Sequence, residues 1–146
     1  GRDRGYRALG FAAAGALPIS QETPVRLGES VRAAADRSRD DWTLVVDDDE
    51  RPQGWLAVGR LSDAALEQEI SPDLLNLGGT LAGESGTMRE ALDAALSSPS
   101  GRGVIVHDDG SLAGTVTAAG VLTKIEERSA AIRVEAVQAA AGALSG

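Results

Sequence analysis

Two stretches of this chain spell the same unit, sixty positions apart. Trp42-Thr43-Leu44-Val45-Val46-Asp47-Asp48-Asp49, followed by Gly54, returns as Arg102-Gly103-Val104-Ile105-Val106-His107-Asp108-Asp109-Gly110, followed by Gly114. In each copy an apolar run stops at an acidic turn and restarts after a glycine, at Trp55 to Val58 and at Thr115 to Val116. That pattern reads as strand, tight turn and partner strand. Upstream stands a shared tripeptide, Gly28-Glu29-Ser30 and Gly83-Glu84-Ser85, which reads as opening a helix in both copies. Neither small unit can bury its apolar face alone. The repeat therefore constrains the chain to a paired domain whose halves complete each other's core.

The flanking pattern fills in each copy. Ser30 is a suitable helix cap, and Val31, Ala34 and Ala35 give a short helix an apolar stripe ending near Arg39. Strands are predicted at Trp42 to Val46 and Trp55 to Val58, with Arg51-Pro52-Gln53-Gly54 closing the hairpin. Leu61, Ala64, Ala65 and Leu66 predict a second helix, broken at Ile70-Ser71-Pro72. After a linker over 71–81, Thr87 with Glu90 three residues on has the spacing of a capping box. Met88, Ala91, Leu92, Ala95 and Leu96 carry that helix. Strands over Gly103 to His107 and Ala113 to Thr117 follow, then a helix from Ala119 to Glu127. Short leading strands fit near Ile19 and Leu81. The expected class is α+β, with two βαββα-like repeats in pseudo-twofold packing. The divisions are a connector over 1–20, repeats over 21–72 and 73–128, and an alanine-rich helical tail over 129–146. The opening lacks methionine and starts in mid-pattern, so the chain reads as part of a longer protein.

Composition excludes several functions. With 146 residues the chain can bury a substantial core. Fourteen basic against 22 acidic residues leave a net charge of -8, which repels nucleic acid at long range. The absence of cysteine removes disulfides, thiolate catalysis and the usual zinc sites. No apolar run approaches the roughly 20 residues of a membrane span.

Helix, strand, strand, helix in duplicate, with Val104-Ile105-Val106-His107-Asp108-Asp109-Gly110 and then Gly114-Thr115-Val116-Thr117, resembles the CBS domain pair, or Bateman module, first named from cystathionine β-synthase. The second copy carries most of the likeness; the first contributes its pattern and Gly54. Asp3-Arg4-Gly5-Tyr6-Arg7-Ala8-Leu9 looks like the junction before the CBS pair in ATP-binding subunits of glycine betaine, choline and carnitine ABC importers. The resemblance implies a regulatory, non-catalytic module that forms a flat homodimer. It also implies an ATPase domain in the same polypeptide, indirect contact with transporter membrane subunits, and a cytoplasmic place at the inner membrane face. In osmoprotectant importers such modules are linked to control by ionic strength or by cyclic di-AMP.

Family members typically hold adenine nucleotides through a Gly-h-h-Thr-x-x-Asp run, Thr on phosphate and Asp on ribose. Here Gly114-Thr115-Val116-Thr117-Ala118-Ala119-Gly120 keeps Gly and Thr, but Gly120 replaces the Asp and Ala118 stands where Arg is frequent. The first copy has Ala57 and Arg60 at the Thr and Asp positions. AMP or ATP would thus lose a ribose anchor, whereas cyclic di-AMP across a dimer axis would depend less on it. The ligand-binding candidates implied are Val104, Val106, Gly114 and Thr117, at strand ends expected to be exposed. The alternative is a purely structural dimerisation module with degenerate sites.

Other motifs read as structure. Asp47 to Glu50 and Asp108-Asp109 lack the spacing of a calcium loop and suit solvated hairpin turns, although clustered charge makes a dimer salt-sensitive. His107, the only histidine, has Asp108, Asp109 and Ser111 nearby, but neighbours on a hairpin point apart and no nucleophile elbow exists. Gly83-Glu84-Ser85-Gly86 lacks a phosphate loop's Lys-Ser/Thr ending and suits a turn before a helix. Trp42 and Trp55 could start a cage for quaternary ammonium, but two rings on one hairpin read as core or interface anchors.

Overall fold

The computed structural model describes residues 14–145, with side chains through Gly142. Of the expected connector over 1–20, residues 1–13, with Tyr6 and Phe11, lie outside the described residues. The elements run β1 (Val25–Arg26), α1 (Val31–Asp36), β2 (Trp42–Val46), β3 (Pro52–Ala57), β4 (Leu81–Gly83), α2 (Met88–Ser97), β5 (Arg102–Val106), β6 (Leu112–Thr117) and α3 (Ala118–Ser145). They form two three-stranded sheets, β1-β2-β3 and β4-β5-β6, each with a parallel leading strand and an antiparallel hairpin.

The repeat is kept residue by residue. Trp42 pairs with Ala57 as Arg102 pairs with Thr117, and both hairpins carry an irregularity, at Val45/Val46 and at Ile105/Val106. The hairpins are thus related by a shift of 60, whereas the leading strand and the helix cap are shifted by 57, from Val25 to Ala82 and from Ser30 to Thr87. A longer α2, ten residues against six, takes up the difference. The Gly-Glu-Ser tripeptides are therefore not structural equivalents. Ser30 accepts from Ala33 N at 3.2 Å, but the second cap is Thr87, which accepts from Glu90 N at 3.1 Å. Gly83 ends β4 and takes part in the turn before α2, where Gly86 N donates to Gly83 O at 2.9 Å.

Three further expectations are corrected. The first hairpin turns at Asp47 to Arg51, not at Arg51 to Gly54. Asp47 Oδ1 accepts from Asp49 N and Arg51 N, both at 2.9 Å, so its side chain builds the turn and β3 starts at Pro52. The helix predicted over Leu61 to Leu66 is two 3-10 turns, Val58–Arg60 and Asp63–Glu67. Its apolar stripe covers too little to sustain an α-helix, and Ile70 takes the buried position instead. The last helix of the second repeat and the tail are one continuous element, α3, because nothing in Glu127 to Ala131 breaks a helix. Thr117 Oγ1 caps it by accepting from Gly120 N at 3.1 Å.

Each repeat is finished by the segment that leads into the other. Ser20, before the first repeat, exchanges two 2.9 Å backbone bonds with Thr115 of β6. Asn76, before the second repeat, bonds Trp55 of β3 in the same way, at 2.9 and 3.0 Å. Thr115 and Trp55 are equivalent positions under the shift of 60, so the exchange is reciprocal. Ala14 and Leu17 accordingly sit in the second repeat's core with Met88, Ala91, Ile105 and Val116. Ile70 sits in the first, with Val25, Val31, Ala34, Val45 and Leu56.

The alternate faces of the strands meet between the sheets. Leu44, Val46, Trp55 and Val104 are buried together, with Trp42, Val106 and Leu112 packed around them. Full burial of each such aliphatic side chain contributes about 1.5–3 kcal/mol. Helices cover the outer faces, and α2 approaches β5 so closely that a Cβ on Gly103 would lie 2.8 Å from Ala95 N. Beyond the second repeat, Val134 and Val137 of α3 are exposed.

Candidate functional site

Arg102, at the start of β5 opposite the end of β6, reaches from the second repeat to the first. Its side chain is 5% exposed. Nη1 donates to Arg39 O at 2.8 Å and Nη2 to Trp42 O at 3.1 Å, so one guanidinium of the second repeat holds both ends of a tight turn in the first. Arg39 and Trp42 bond each other's backbone across Asp40 and Asp41, which have φ of 52° and 67°. Two consecutive left-handed residues are what a type I′ turn needs, and Asp tolerates this conformation better than most. The guanidinium also lies over the Trp55 ring, 4.6 Å from its centroid.

Glu22 closes the cluster from the leading segment. Its carboxylate, 7% exposed, accepts at Oε1 from Arg39 Nη2 at 2.5 Å and from Thr115 Oγ1 at 2.7 Å. Arg102 Nε stands 3.1 Å from the same oxygen without the alignment of a hydrogen bond. It is the one buried side-chain nitrogen or oxygen among the described residues that makes none. Burial lowers the Arg102 pKa, Glu22 opposes that shift, Arg39 adds to the lowering, and Asp40 raises it. Behind Arg102, Trp55 Nε1 donates to Thr80 Oγ1 at 3.1 Å, which donates to Arg102 O at 2.9 Å. A buried polar chain thus runs from the first hairpin through the linker to the second.

Two openings flank this cluster. One, of about 360 Å³, is lined by Gln21, Glu22, Thr23, Asp36, Arg37, Ser38 and Arg39. The other, of about 200 Å³, lies beside Asp40, Asp41, Trp42, Ala57, Gly59 and Arg60.

The four candidates from the sequence lie on one hairpin but do not converge. Thr117 is exposed at its base, paired with Arg102; Val106 pairs with Leu112 near its tip, about 13 Å away at strand rise. Val104 is fully buried between the sheets, which corrects the expectation of an exposed strand end there. Gly114 is covered by the leading segment: a Cβ there would collide with Ile19 and lie 2.7 Å from Ser20 O. Sequence reasoning missed Glu22, Arg39 and Arg102. The available signal was Arg102 itself, a cation at the inward-facing strand position that Trp42 fills in the first copy.

The remaining candidates are accounted for by their contacts. His107 Nδ1 lies 2.9 Å from Glu84, while Ser111 Oγ donates to Asp109 at 2.6 Å, so no Ser-His-Asp relay forms. The Asp109 carboxyl is held below its usual range by those bonds from Ser111. Trp55 is fully buried and Trp42 packs beside it. Among the described residues no group of three His, Cys, Asp or Glu could hold a metal, and no helix is long and apolar enough to cross a membrane.

The sequence matches no protein-family model and no curated protein. Solved structures do match. A CBS domain pair/ACT domain protein of Thermotoga maritima is 20% identical, with a TM-score of 0.66, over 79% of this chain and 97% of that one. Staphylococcus aureus OpuCA is 15% identical, with a TM-score of 0.57, over 75% and 94%. The CBS domain of a bacterial CNNM/CorC family Mg2+ transporter, in complex with ATP, is 11% identical, with a TM-score of 0.62, over 84% and 93%. With two cross-docked α+β repeats and these likenesses, the chain has the fold of a CBS domain pair.

Proposed function

We propose that this chain is a regulatory and dimerisation module that senses an adenylyl ligand such as cyclic di-AMP, or ionic strength, for the ATP-binding subunit of an osmoprotectant importer. Its partners are a second copy of itself, a preceding ATPase domain and, indirectly, the membrane subunits, at the cytoplasmic face of the membrane. The observation that carries the reading is the bridge between the repeats at Arg102, which pairs with Thr117 in the second repeat and bonds Arg39 O and Trp42 O of the first, so that a ligand engaging it changes their relation. Unequal binding to two arrangements is what a switch requires. The likeness to OpuCA, an osmoprotectant transporter subunit, supports this parent. The Mg2+ transporter domain bound to ATP supports an adenylyl input and offers a different parent.

A second reading, a structural dimerisation module without a ligand, is favoured by the buried pairing of Arg102 with Glu22, and by Gly120 and Arg60 at positions where a ribose-binding carboxylate is absent. Thermal unfolding with cyclic di-AMP, AMP or ATP, at low and high salt, separates the two. Ligand at 100 times its Kd adds about 2.7 kcal/mol and raises Tm by several degrees. A rise with one nucleotide, lost in Thr117→Asp, supports the sensor. No rise with any of them, and no salt dependence of the dimer, leaves the structural module.

A further inference from the structure

We propose that Glu22 is a built-in occupant of an oxyanion site formed by Arg39 and Arg102, and that a phosphate-bearing ligand competes with it. This inference rests on reading the chain as ligand-responsive. Three observations support it. First, Oε1 of Glu22 accepts from both Arg39 and the Thr115 hydroxyl and lies 3.1 Å from Arg102 Nε, so one oxygen gathers two donors and a second cation. Second, Arg102 Nε is buried and close to that oxygen, yet makes no hydrogen bond, so the internal carboxylate satisfies the site incompletely. A phosphate has more acceptor directions than a carboxylate oxygen fixed on a backbone. Third, the opening of about 360 Å³ beside Glu22 and Arg39 provides an entry path. With Glu22 swung aside, Arg39 loses its carboxylate and Arg102 keeps Asp40 at 3.9 Å, while Arg37 stays paired with Glu29 at 3.4 Å.

Displacement has a mechanical consequence. Glu22 lies two residues after Ser20, whose backbone bonds to Thr115 dock the leading segment on β6. Moving Glu22 removes a side-chain tether from the same Thr115 and loosens that docking. Ligand entry is thereby linked to loosening of Ser20 from β6.

The test uses inorganic phosphate against chloride at equal ionic strength, on the whole chain. Glu22→Gln removes the competing charge and should bind phosphate at least about tenfold more tightly than the unmodified protein, a difference of roughly 1.4 kcal/mol. The added substitution Arg39→Gln should abolish that gain. Equal phosphate affinity with and without Glu22, no binding to Glu22→Gln, or a gain that survives Arg39→Gln overturns the proposal. A second readout needs no variant: in the unmodified protein, phosphate should speed hydrogen exchange at the Ser20 and Thr115 amides relative to chloride, and unchanged exchange counts against the proposal. Failure of the nucleotide-sensor reading appears separately, as an absent response to AMP, ATP and cyclic di-AMP.

Discussion

Replacing the buried Arg102 with alanine should destabilise the protein strongly. The side chain is 5% exposed and holds two backbone carbonyls of the other repeat, at 2.8 and 3.1 Å. Its partner Glu22 is 7% exposed. At 4 Å and an effective dielectric constant of 20, such a pair attracts by about 4 kcal/mol, which desolvation of both ions largely offsets. Removal of one partner is a different case, since it leaves the other charge buried. That costs about 3–5 kcal/mol, a large part of the 5–15 kcal/mol typical of a domain. Arg102→Ala should therefore lower Tm by roughly 6–20 °C. Arg102→Lys keeps the charge but cannot span both carbonyls, and should fall between. In a Glu22→Gln background the alanine substitution should cost about 1–3 kcal/mol less, because the stranded charge is gone. Urea unfolding of the unmodified protein and these four variants measures the free-energy differences, and a thermal scan the change in Tm. A cost below 1 kcal/mol for Arg102→Ala, or strict additivity with Glu22→Gln, would refute the reasoning.

Gly114→Ala places a Cβ against Ile19 and the Ser20 carbonyl, so it should cost about 1–3 kcal/mol and speed amide exchange at Ser20; unchanged exchange contradicts the docking. Thr80→Val strands Trp55 Nε1 without an acceptor in the core and should cost about 1–3 kcal/mol by denaturant titration, with a change in Trp fluorescence. Asp109 titrates below its ordinary value of 3.8 because Ser111 bonds its charged form. Its contribution to stability is present above that pH and is lost as pH falls through the lower folded value. Ser111→Ala should move the Asp109 NMR titration upward, and an unmoved midpoint rules out that cause.

The hairpins were legible because short apolar runs ended in Asp-rich turns, and the shift of 60 between Trp42 and Arg102 holds in every pair of both ladders. The caps at Ser30 and Thr87 were legible because an N-cap needs only its own few residues. The matching tripeptides misled, since Gly28-Glu29-Ser30 and Gly83-Glu84-Ser85 share letters but differ by two positions in structure. The closing helix of the first repeat failed because four apolar residues fit a helical period yet two 3-10 turns bury enough of them. The site was the least legible part. Glu22, Arg39 and Arg102 meet only through the cross-docking of Ser20 on Thr115, a contact spanning 95 positions that no local pattern records. Val104 looked like a strand end because the sequence does not say that a second sheet covers it.

Differential scanning calorimetry of the chain tests the central claim, that the two repeats exist only as one unit completed by exchanged leading segments. The account predicts a single transition whose calorimetric and van't Hoff enthalpies agree. Two transitions, or a calorimetric enthalpy about twice the van't Hoff value, would mean that the repeats fold independently and would contradict it.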